Sequence, residues 1–315
     1  MQRSFLLAVF LGLLVLAAGP NLLTTSANQS YEVVHGWPTL PKGFALGQTT
    51  GVEVNSKNQV VVFHRGARPI IIFEGESGKM IASFGDGLFG SAHGLTVDHN
   101  DNIWVTDGRR HTVHKFSPDG KLLMTVGAQD VPGLDGSHFN RPTDIAIAPN
   151  GDMYVADGYG NRRIVHLDSS GKFIRDWGTE GDKEGQFVDP HGITLDEAGN
   201  VYVADRGNSR IQVFTKEGKF IQQWKSDELG RPWGVDVGSD RLLYVADGGD
   251  MNPAPPERNR ILKLDLNGKI LEAWGSFGSQ DGQFWWAHDV AAGDDGAVYV
   301  TDVNVGMRVQ KFVKP

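Results

Sequence analysis

The stretch that decides the fold is residues 190–214, PHGITLDEAGNVYVADRGNSRIQVF. Short apolar alternations at 193–195 and 201–203 flank a turn that contains glycine and asparagine, which predicts two antiparallel strands joined as a hairpin. A third alternation follows at 211–214, and a fourth at 219–224 lies beyond another glycine turn. One unit of the sequence therefore predicts a meander of four short strands.

The same unit recurs along almost the whole chain, at intervals of about 40 to 55 residues. His191, near the start of the unit, aligns with one residue in each of the other five copies, namely Thr50, His93, Thr143, Trp233 and His288. Six such units predict an all-β fold, a six-bladed β-propeller around a central channel. We expect the blades to start near residues 47, 90, 139, 187, 229 and 284.

The two ends of the chain predict how the ring closes. The last copy stops after its third strand at 309–312, and residues 31–37 resemble the fourth-strand segments of other copies. We therefore expect the N-terminal strand to complete the last blade, so that no sheet edge stays open. Residues 28–315 then form one propeller domain, because the six blades share one ring.

Residues 1–27 have the layout of a secretory signal peptide, with Arg3, an apolar run at 5–18 and small residues ending at Ala27. An apolar run of roughly 14 residues is short for a membrane span, which needs about 20. We expect cleavage after about Ala27 and a secreted or periplasmic protein whose mature part has no membrane span. A retained N-terminal anchor is the alternative.

Composition limits the chemistry and the partners of the protein. The chain has no cysteine, so a metal ion must be bound by histidine, carboxylate or carbonyl groups. Its net charge of −8 at pH 7 argues against a nucleic acid as partner. One long insertion at 250–258, which contains three prolines, either walls a cleft or is a plain surface loop.

The repeat separates residues that serve the fold from residues that serve chemistry. Aspartate fills one slot in five of the six copies, which indicates a structural side chain at a turn; these residues are Asp107, Asp157, Asp205, Asp247 and Asp302. Histidine fills its own slot only in blades 2, 4 and 6, as His93, His191 and His288. We interpret the other seven histidines as surface groups or as groups in local hydrogen bonds.

Alternate blades of a six-bladed ring lie about 120° apart. Because His93, His191 and His288 each open the innermost strand of a blade, we expect their side chains to point at the channel axis from three sides. Three imidazoles around one point suit Zn²⁺, with nitrogen–metal distances of about 2.0 Å and a fourth position free for water or substrate.

Residues directly after the repeated aspartate open on the same channel mouth, since the start of the first strand and the end of the second lie at one edge of an antiparallel pair. Arg65 and Arg206 occupy this slot in blades 1 and 4, and Tyr159 lies one residue further on in blade 3. A guanidinium can hold a carboxylate, and a phenol whose pKa is lowered by cations and a metal can act as a base. The alternative is that both arginines only cover loops.

Asp289 is the carboxylate next to His288. It either orients an imidazole or binds a hard cation together with backbone carbonyls of adjacent blades. The residues alone leave both possibilities open.

These motifs resemble the NHL-repeat propellers and, among them, the peptidyl-α-hydroxyglycine α-amidating lyases. The resemblance covers roughly residues 40–313. It is most specific at VVFHRG (61–66), AHGL (92–95), RPTDIA (141–146), DGYGN (157–161), VADR (203–206) and HD (288–289). The sequence departs from the family pattern at Gly160, where cysteine is common, and at Trp286, where the family has methionine.

The resemblance implies a set of site residues. Three zinc-binding histidines of the family are matched by His93, His191 and His288. A tyrosine base is matched by Tyr159, and two active-site arginines are matched by Arg65 and Arg206. The resemblance also implies a structural Ca²⁺ that is held by one aspartate and two backbone carbonyls, matched by Asp289, Val52 and Leu95.

The function that the resemblance implies is a secreted, zinc-dependent lyase. Such an enzyme cleaves the C–N bond of a carbinolamide such as a peptidyl-α-hydroxyglycine and gives an amide and glyoxylate. We expect a monomer that acts on a small-molecule or peptide substrate. One alternative is a non-catalytic NHL propeller that binds a protein or small ligand outside the cytoplasm, since a fold does not determine a function. Another is a metal-dependent lactonase or esterase, although those enzymes typically use carboxylate and asparagine ligands.

Overall fold

The computed structural model of the protein describes residues 30–251 and 258–315. The expected signal segment at 1–27 and most of the insertion at 250–258 lie outside these described residues. Within them the secondary structure is almost entirely β, and no helix there has the length and apolar character needed to cross a membrane. The fold is thus built from strands, as the repeat predicts.

The described chain starts with a short strand, β1 (Glu32–Val33), and continues into blades 1 to 3. Each of these blades is an antiparallel sheet of four strands that follow one another in sequence. Blade 1 contains β2 (Thr49–Val54), β3 (Gln59–His64), β4 (Ile70–Glu74) and β5 (Met80–Phe84). Blade 2 contains β6 (Ala92–Val97), β7 (Ile103–Asp107), β8 (Thr112–Phe116) and β9 (Leu122–Val126). Blade 3 contains β10 (Asp144–Ile147), β11 (Met153–Asp157), β12 (Arg163–Leu167) and β13 (Phe173–Trp177).

Blades 4 to 6 complete the six-bladed propeller. Blade 4 contains β14 (Pro190–Leu195), β15 (Val201–Asp205), β16 (Arg210–Phe214) and β17 (Phe220–Trp224). Blade 5 contains β18 (Pro232–Val237), β19 (Leu243–Asp247), β20 (Arg260–Leu264) and β21 (Ile270–Trp274). Two short parallel strands follow, β22 (Ser276–Phe277) and β23 (Gln283–Phe284). Blade 6 contains β24 (Ala287–Ala292), β25 (Val298–Asp302) and β26 (Arg308–Val313).

Two single helical turns follow second strands, at the channel mouth where chemistry is expected. The α-helical turn α1 (Gly158–Asn161) follows β11, and a 3₁₀ turn (Arg206–Asn208) follows β15. Each is capped by a residue in the left-handed region, Arg162 with φ 54° and Ser209 with φ 52°, where the chain turns back into the third strand. Tyr159 and Arg206 therefore lie on short helical turns rather than on extended loops.

The ring closes through the N-terminal strand. β1 pairs antiparallel with β26, with Glu32 opposite Val313 and Val33 opposite Phe312, so it is the fourth strand of blade 6. The ring of Tyr31 stacks on that of Trp274 in blade 5, with the centroids 4.3 Å apart. Pairing of the two chain ends covers the last sheet edge and links the first and last blades.

Hydrophobic clusters fill the interfaces between neighbouring blades. Between blades 1 and 2, for example, Phe63 and Ile70 pack with Ile103 and Phe116, all of them buried. Because a blade is only one sheet thick, it can bury its two apolar faces only against its two neighbours. The alternating pattern of the repeat thus supplies the core of the whole ring.

The repeated aspartates hold blades 2 to 6 to the loops that enter them, which confirms their structural role. Asp205 is fully buried; its Oδ1 accepts the backbone N–H of Val188 at 2.8 Å, and its Oδ2 accepts from Arg210 Nε at 2.8 Å. The same carboxylate–arginine pair recurs in blades 3, 5 and 6 as Asp157 with Arg163, Asp247 with Arg260 and Asp302 with Arg308. In blade 1 the imidazole of His64 takes this place and accepts the N–H of Gly47 at 2.9 Å.

Candidate metal centre

The three slot histidines are placed by a local irregularity of the innermost strands. In blade 4, Pro190 lies opposite Asp205 and Gly192 opposite Ala204, so His191 between them has no partner in the ladder. His288 is the extra residue of the same kind of bulge in blade 6, and the pairing of blade 2 is interrupted around His93. A bulge of this kind redirects a side chain that regular pairing would hold above or below the sheet.

The bulges bring the imidazoles of His93, His191 and His288 together in the channel. Their ring centroids are 4.7 to 4.9 Å apart in all three pairs. One ligand nitrogen from each ring lies within 4.8 Å of the other two, and all three residues are buried. The structure thus confirms that these three residues converge, and the group they form is able to hold a metal ion.

Each imidazole is oriented by the blade that follows it. The Nδ1–H groups of His93, His191 and His288 donate to the backbone carbonyls of Thr143 (2.7 Å), Trp233 (3.0 Å) and Thr50 (2.7 Å), which occupy the same slot in blades 3, 5 and 1. Because a carbonyl only accepts, the proton of each neutral ring is on Nδ1 and the lone pair is on Nε2. The tautomer that a metal ion needs is therefore set by the propeller backbone.

The electrostatics of the three rings also suit a metal ligand. Burial, reinforced by the guanidinium of Arg65, lowers the pKa of His93 to about 3. Burial likewise holds the pKa of His191 and of His288 well below its usual value. Nε2 of His191 is buried and has no hydrogen-bond partner among the described residues. A buried, neutral nitrogen without a partner is a costly group, and a bound cation would satisfy it.

Tyr159 lies beside this cluster, as the repeat predicts. Its hydroxyl donates to Nε2 of His93 at 3.0 Å. The guanidinium carbons of Arg141 and Arg206 lie 4.9 and 5.2 Å from the centroid of its ring. Burial raises the pKa of Tyr159, and the positive charges of Arg206 and Arg65 oppose that rise. The expected lowering of its pKa is thus not achieved by the arginines alone, because the cost of burying a phenolate is larger.

Arg65 and Arg206 reach the same space from blades 1 and 4. They line, with His93 and Tyr159, a cavity of about 920 Å³ at the channel mouth. Arg65 is anchored through Nε to the carbonyl of Ala92 at 3.1 Å and through Nη1 to Gln48 at 2.7 Å. Arg206 is buried, pairs with Asp189 at 3.3 Å and lies 4.7 Å from the ring of Trp233. Both arginines thus line the cavity together with Tyr159.

The same cavity contains residues that the sequence analysis did not single out: Arg109, His111, Arg141 and Asp189. The alignment of the repeats places three of these four residues in slots close to the predicted site residues. Arg109 stands two residues after the repeated Asp107, as Tyr159 stands after Asp157. Arg141 and Asp189 stand two residues before the histidine slot, as Trp286 does. Trp286 itself packs near Trp233, with the ring centroids 6.3 Å apart.

The remaining histidines that have local hydrogen bonds fit their interpretation, and His111 in addition lines the cavity. His111 is partly exposed in the cavity and its Nδ1 accepts the backbone N–H of Arg141 at 3.0 Å. His64, His114 and His166 are buried rather than on the surface, and each makes local hydrogen bonds.

Asp289 does not orient an imidazole, because each Nδ1 of the cluster is taken by a carbonyl. Its Oδ2 accepts the backbone N–H of Val52 at 3.0 Å. Asp289 therefore contacts β2, the strand that contains Val52, which is one of the predicted calcium ligands. Leu95 packs against that strand at Gly51, where an added Cβ would lie 2.6 Å from the Cβ of Leu95. Burial, with the negative charge of Asp144, raises the pKa of Asp289 well above its usual value.

Comparison with known proteins gives the same assignment at the level of family. NHL repeats match residues 89–116, 139–167, 187–214 and 284–312. The chain is 30% identical over 323 residues to peptidyl-alpha-hydroxyglycine alpha-amidating lyase 2 of Drosophila melanogaster, a match that covers 89% of this chain and 75% of that protein. It is 36% identical over 313 residues to peptidyl-glycine alpha-amidating monooxygenase B of Xenopus laevis, covering 88% of this chain and 35% of the relative. The chain thus spans about a third of the length of that monooxygenase.

Solved structures share the architecture at lower identity. A streptogramin B lyase aligns with a TM-score of 0.63 at 18% identity over 91% of this chain and 99% of its own. A gluconolactonase from Xanthomonas campestris aligns with a TM-score of 0.64 at 15% identity over 86% and 87%. These two likenesses show the propeller fold alone. By fold and by relationship, the chain belongs to the peptidyl-α-hydroxyglycine α-amidating lyase family of NHL-repeat β-propellers.

Proposed function

We propose that this protein is a zinc-dependent lyase that cleaves the C–N bond of a peptidyl-α-hydroxyglycine or a related carbinolamide. The observation that carries the proposal is the group of three neutral imidazoles, one with a buried and unpartnered Nε2, directly beside a tyrosine hydroxyl. Relatives named as α-amidating lyases support the reaction class. The products would be the peptide amide and glyoxylate.

His93, His191 and His288 would hold the zinc ion, and bound Zn²⁺ would supply a Lewis acid that makes the substrate hydroxyl more acidic. Tyr159, as the phenolate, takes the hydroxyl proton. The electron pair of that O–H bond forms the aldehyde of glyoxylate, the C–N bond breaks, and the amide nitrogen takes a proton from the tyrosine. Atoms and charge balance without any further reactant.

Arg65 and Arg206 would bind the carboxylate of the α-hydroxyglycine. Both guanidiniums face the cavity that contains Tyr159 and His93. Their positive charge opposes the rise in the pKa of Tyr159 and thereby favours the phenolate that the reaction needs. One pair of side chains would thus orient the substrate and activate the base.

We also propose that Asp289, with the backbone carbonyls of Val52 and Leu95, holds a structural Ca²⁺. Oδ2 of Asp289 accepts the backbone N–H of Val52, and a backbone hydrogen bond from Val290 also stabilises this carboxylate. A buried carboxylate with a raised pKa would be stabilised in its ionised form by a divalent cation. Equilibrium dialysis against Ca²⁺ should show a bound ion that Asp289→Asn loses, and equal binding by both proteins would remove the site.

For localisation we propose export, from the signal-like layout of residues 1–27, and for oligomeric state a monomer. N-terminal sequencing of protein recovered from the medium or the periplasm should start near residue 28. Recovery only in a membrane fraction with an intact N-terminus would instead indicate a retained anchor. Light scattering of the purified protein checks the oligomeric state.

Metal analysis and a glyoxylate assay test the function. Purified protein should contain about one zinc ion per chain and should release glyoxylate from an α-hydroxyhippurate. His191→Ala should lose most of the zinc and the activity together, because it removes one ligand of three. Thr143→Ala is the control, since the carbonyl that orients His93 belongs to the backbone and survives the substitution.

The other outcomes discriminate between the functional classes. Zinc in the protein without glyoxylate release would remove the amidating assignment. Calcium as the only metal would favour a hydrolase, and the absence of any bound metal would favour a propeller that only binds a partner. Full zinc content in His191→Ala would show that the three histidines are not one metal site.

A further inference from the structure

The channel mouth is strongly basic although the protein as a whole is acidic. Four arginines line the cavity, namely Arg65, Arg109, Arg141 and Arg206, and the carboxylate among its lining residues is Asp189. The whole chain carries a net charge of −8. Asp189 pairs with Arg206 at 3.3 Å. The positive charge of the mouth is thus largely uncompensated, and the site attracts anions.

Arg109 and Arg141 are the two arginines of the mouth that the proposed mechanism does not use. In the described part of the chain neither of them makes an ion pair with a carboxylate. By contrast, Arg210 of the third strand of blade 4 is buried against Asp205. Both Arg109 and Arg141 are exposed, so their guanidiniums are available to a ligand.

Backbone hydrogen bonds fix the position of Arg141 beside the proposed base. Its backbone N–H donates to Nδ1 of His111 at 3.0 Å, and its carbonyl accepts the backbone N–H of Tyr159 at 3.3 Å. Its φ of 61° is unusual for a residue other than glycine. These contacts hold Arg141 next to Tyr159, with its guanidinium carbon 4.9 Å from the ring centroid.

Arg109 approaches the same cavity from blade 2. Its backbone N–H donates to Oδ1 of the buried Asp107 at 3.0 Å. Relative to the repeated aspartate it occupies the slot that Tyr159 occupies in blade 3. Two fixed backbones in adjacent blades therefore present two long, unpaired guanidiniums to one space beside the proposed reaction centre.

We infer that Arg109 and Arg141 form a second anion-binding subsite, which binds a side-chain carboxylate on the residue that precedes the α-hydroxyglycine. This inference rests on the proposed function, in which Arg65 and Arg206 take the terminal carboxylate. The α-carbon of the preceding residue lies about 3.8 Å from the reacting carbon, and Arg141 stands directly beside the proposed base. Guanidiniums bind carboxylates through paired N–H groups. The preferred substrates are thus peptides that end in Asp or Glu followed by α-hydroxyglycine.

Binding can be measured without turnover. N-acetyl-Glu-Gly and N-acetyl-Gln-Gly have the same shape and the same terminal carboxylate, lack the hydroxyl, and differ by one side-chain charge. Isothermal titration calorimetry of the zinc-loaded protein should give a Kd about tenfold lower for the Glu peptide, which corresponds to about 1.4 kcal/mol. Arg109→Gln and Arg141→Gln should each reduce this ratio, and the double variant should bring it to about one.

Arg241→Gln is a matched control. Arg241 is also an exposed arginine with positive φ, 59°, but it lies on the turn between β18 and β19 and pairs with Glu197. Its replacement should leave the Glu-to-Gln ratio unchanged. Arg141→Gln could change the affinity ratio indirectly through Tyr159, because Arg141 contacts the ring of Tyr159. Within the described residues Arg109 makes no such ring contact, so a reduced ratio in Arg109→Gln reports on the subsite itself.

Three results would overturn the subsite. One is equal affinity of the wild-type protein for the two peptides. A second is an affinity ratio that survives in the double variant. A third is that the variants weaken the binding of both peptides equally, which would mean that the arginines attract any anion without a defined site. Glyoxylate release from the corresponding α-hydroxyglycine peptides is scored separately. Its absence would refute the lyase proposal while the binding ratio still decides the subsite.

Discussion

At the scale of single residues, the candidate centre depends on which nitrogen of each imidazole carries the proton. Carbonyls of Thr143, Trp233 and Thr50 take the Nδ1–H groups, so Nε2 of each ring is left as a lone-pair donor. Burial keeps the rings neutral. The candidate metal site is therefore already oriented in the folded protein, so that binding of an ion would not have to supply the free energy of orienting its ligands.

Tyr159→Phe separates the role of the proposed base from that of the proposed metal ligands. The substitution removes one hydroxyl that contacts His93 and leaves the three imidazoles in place. Zinc content should stay near that of the wild-type protein, while kcat for glyoxylate release falls by about 10² to 10⁴, the contribution of a general base. Metal analysis and steady-state kinetics on the same preparation check both values. Full activity in Tyr159→Phe would remove the tyrosine from the reaction.

At the scale of elements, the innermost strands of neighbouring blades pack closely against one another and bury carboxylates between them. The slot after the histidine position holds Asp144 in blade 3 and Asp289 in blade 6, and glycine in the other four blades. A Cβ on Gly94 would lie 2.3 Å from Oδ1 of Asp144, and one on Gly234 would lie 2.7 Å from Oδ1 of Asp289. Each glycine thus leaves the space that the carboxylate of the next blade occupies.

Asp144 makes the metal-free protein sensitive to pH. Burial raises its pKa from 3.8 to about 7, with a smaller contribution from the charge of Asp236, while hydrogen bonds from Ile193 and Ile145 oppose the rise. A raised pKa in the folded state means that stability present below pH 3.8 is lost as pH rises through about 7. In chelator-treated protein, the Tm of Asp144→Asn should therefore fall less between about pH 5 and pH 8 than that of the wild type.

The side-chain amide introduced by Asp144→Asn keeps a carbonyl oxygen that can still accept the N–H of Ile193, which the carboxylate accepts at 2.9 Å. Protonation of the buried imidazoles changes stability in the opposite direction, but it does so in both proteins and cancels in the comparison. Differential scanning calorimetry across the pH range gives the two profiles. Parallel profiles would show that Asp144 does not titrate in this range.

The carboxylate–arginine pairs hold blades 3 to 6 to their entry loops, and Arg210 tests one of these pairs. Arg210 donates to Asp205, to Gln223 and to the carbonyl of Asp182. Arg210→Met should lower the free energy of unfolding by about 3 to 5 kcal/mol, because it leaves the buried carboxylate of Asp205 unpaired. Urea denaturation measures the loss. The exposed pair of Arg241 with Glu197 is the control, and Arg241→Met should change the midpoint little.

At the scale of the whole molecule, stability depends on closing the ring. β1 is only two residues long, yet it covers the edge of β26 and brings Tyr31 onto Trp274. The flanking Trp37 is buried between blades 6 and 1, near Phe73 and Tyr299. The N-terminal segment thus contributes apolar contacts on both sides of the last blade.

Removal of residues 30–37 from the chain should lower the Tm and promote association, because the edge of β26 and the apolar groups beneath it become accessible. Tyr31→Ala, which keeps the strand but removes the stacked ring, should cost less than the deletion and should leave the protein monomeric. Calorimetry and size-exclusion chromatography compare the two. A deletion as stable as Tyr31→Ala would show that strand pairing does not close the ring.

Much of this molecule follows from the repeat alone, because the repeat encodes local interactions. The alternation of apolar residues, the glycine turns and the recurring aspartate act within one blade, and a count of six units then predicts the ring. The placement of His93, His191 and His288 in alternate copies predicts their convergence. Each copy forms one blade, and the first strands of alternate blades face the channel axis from directions about 120° apart. The positions of Arg65, Arg206 and Tyr159 at the mouth follow from the geometry of an antiparallel pair.

Tertiary structure alone decided what surrounds those residues. The carbonyls that orient the imidazoles come from the next blade, as that of Thr143 does for His93, and the repeat aligns these residues with the histidines without showing that their carbonyls accept a hydrogen bond. The raised pKa of Tyr159 depends on burial by several blades at once. Arg141 gains its place beside Tyr159 through backbone hydrogen bonds between blade 3's entry loop and α1. These features depend on distances between segments that meet only when the ring closes, and a periodic sequence specifies the ring without specifying those distances.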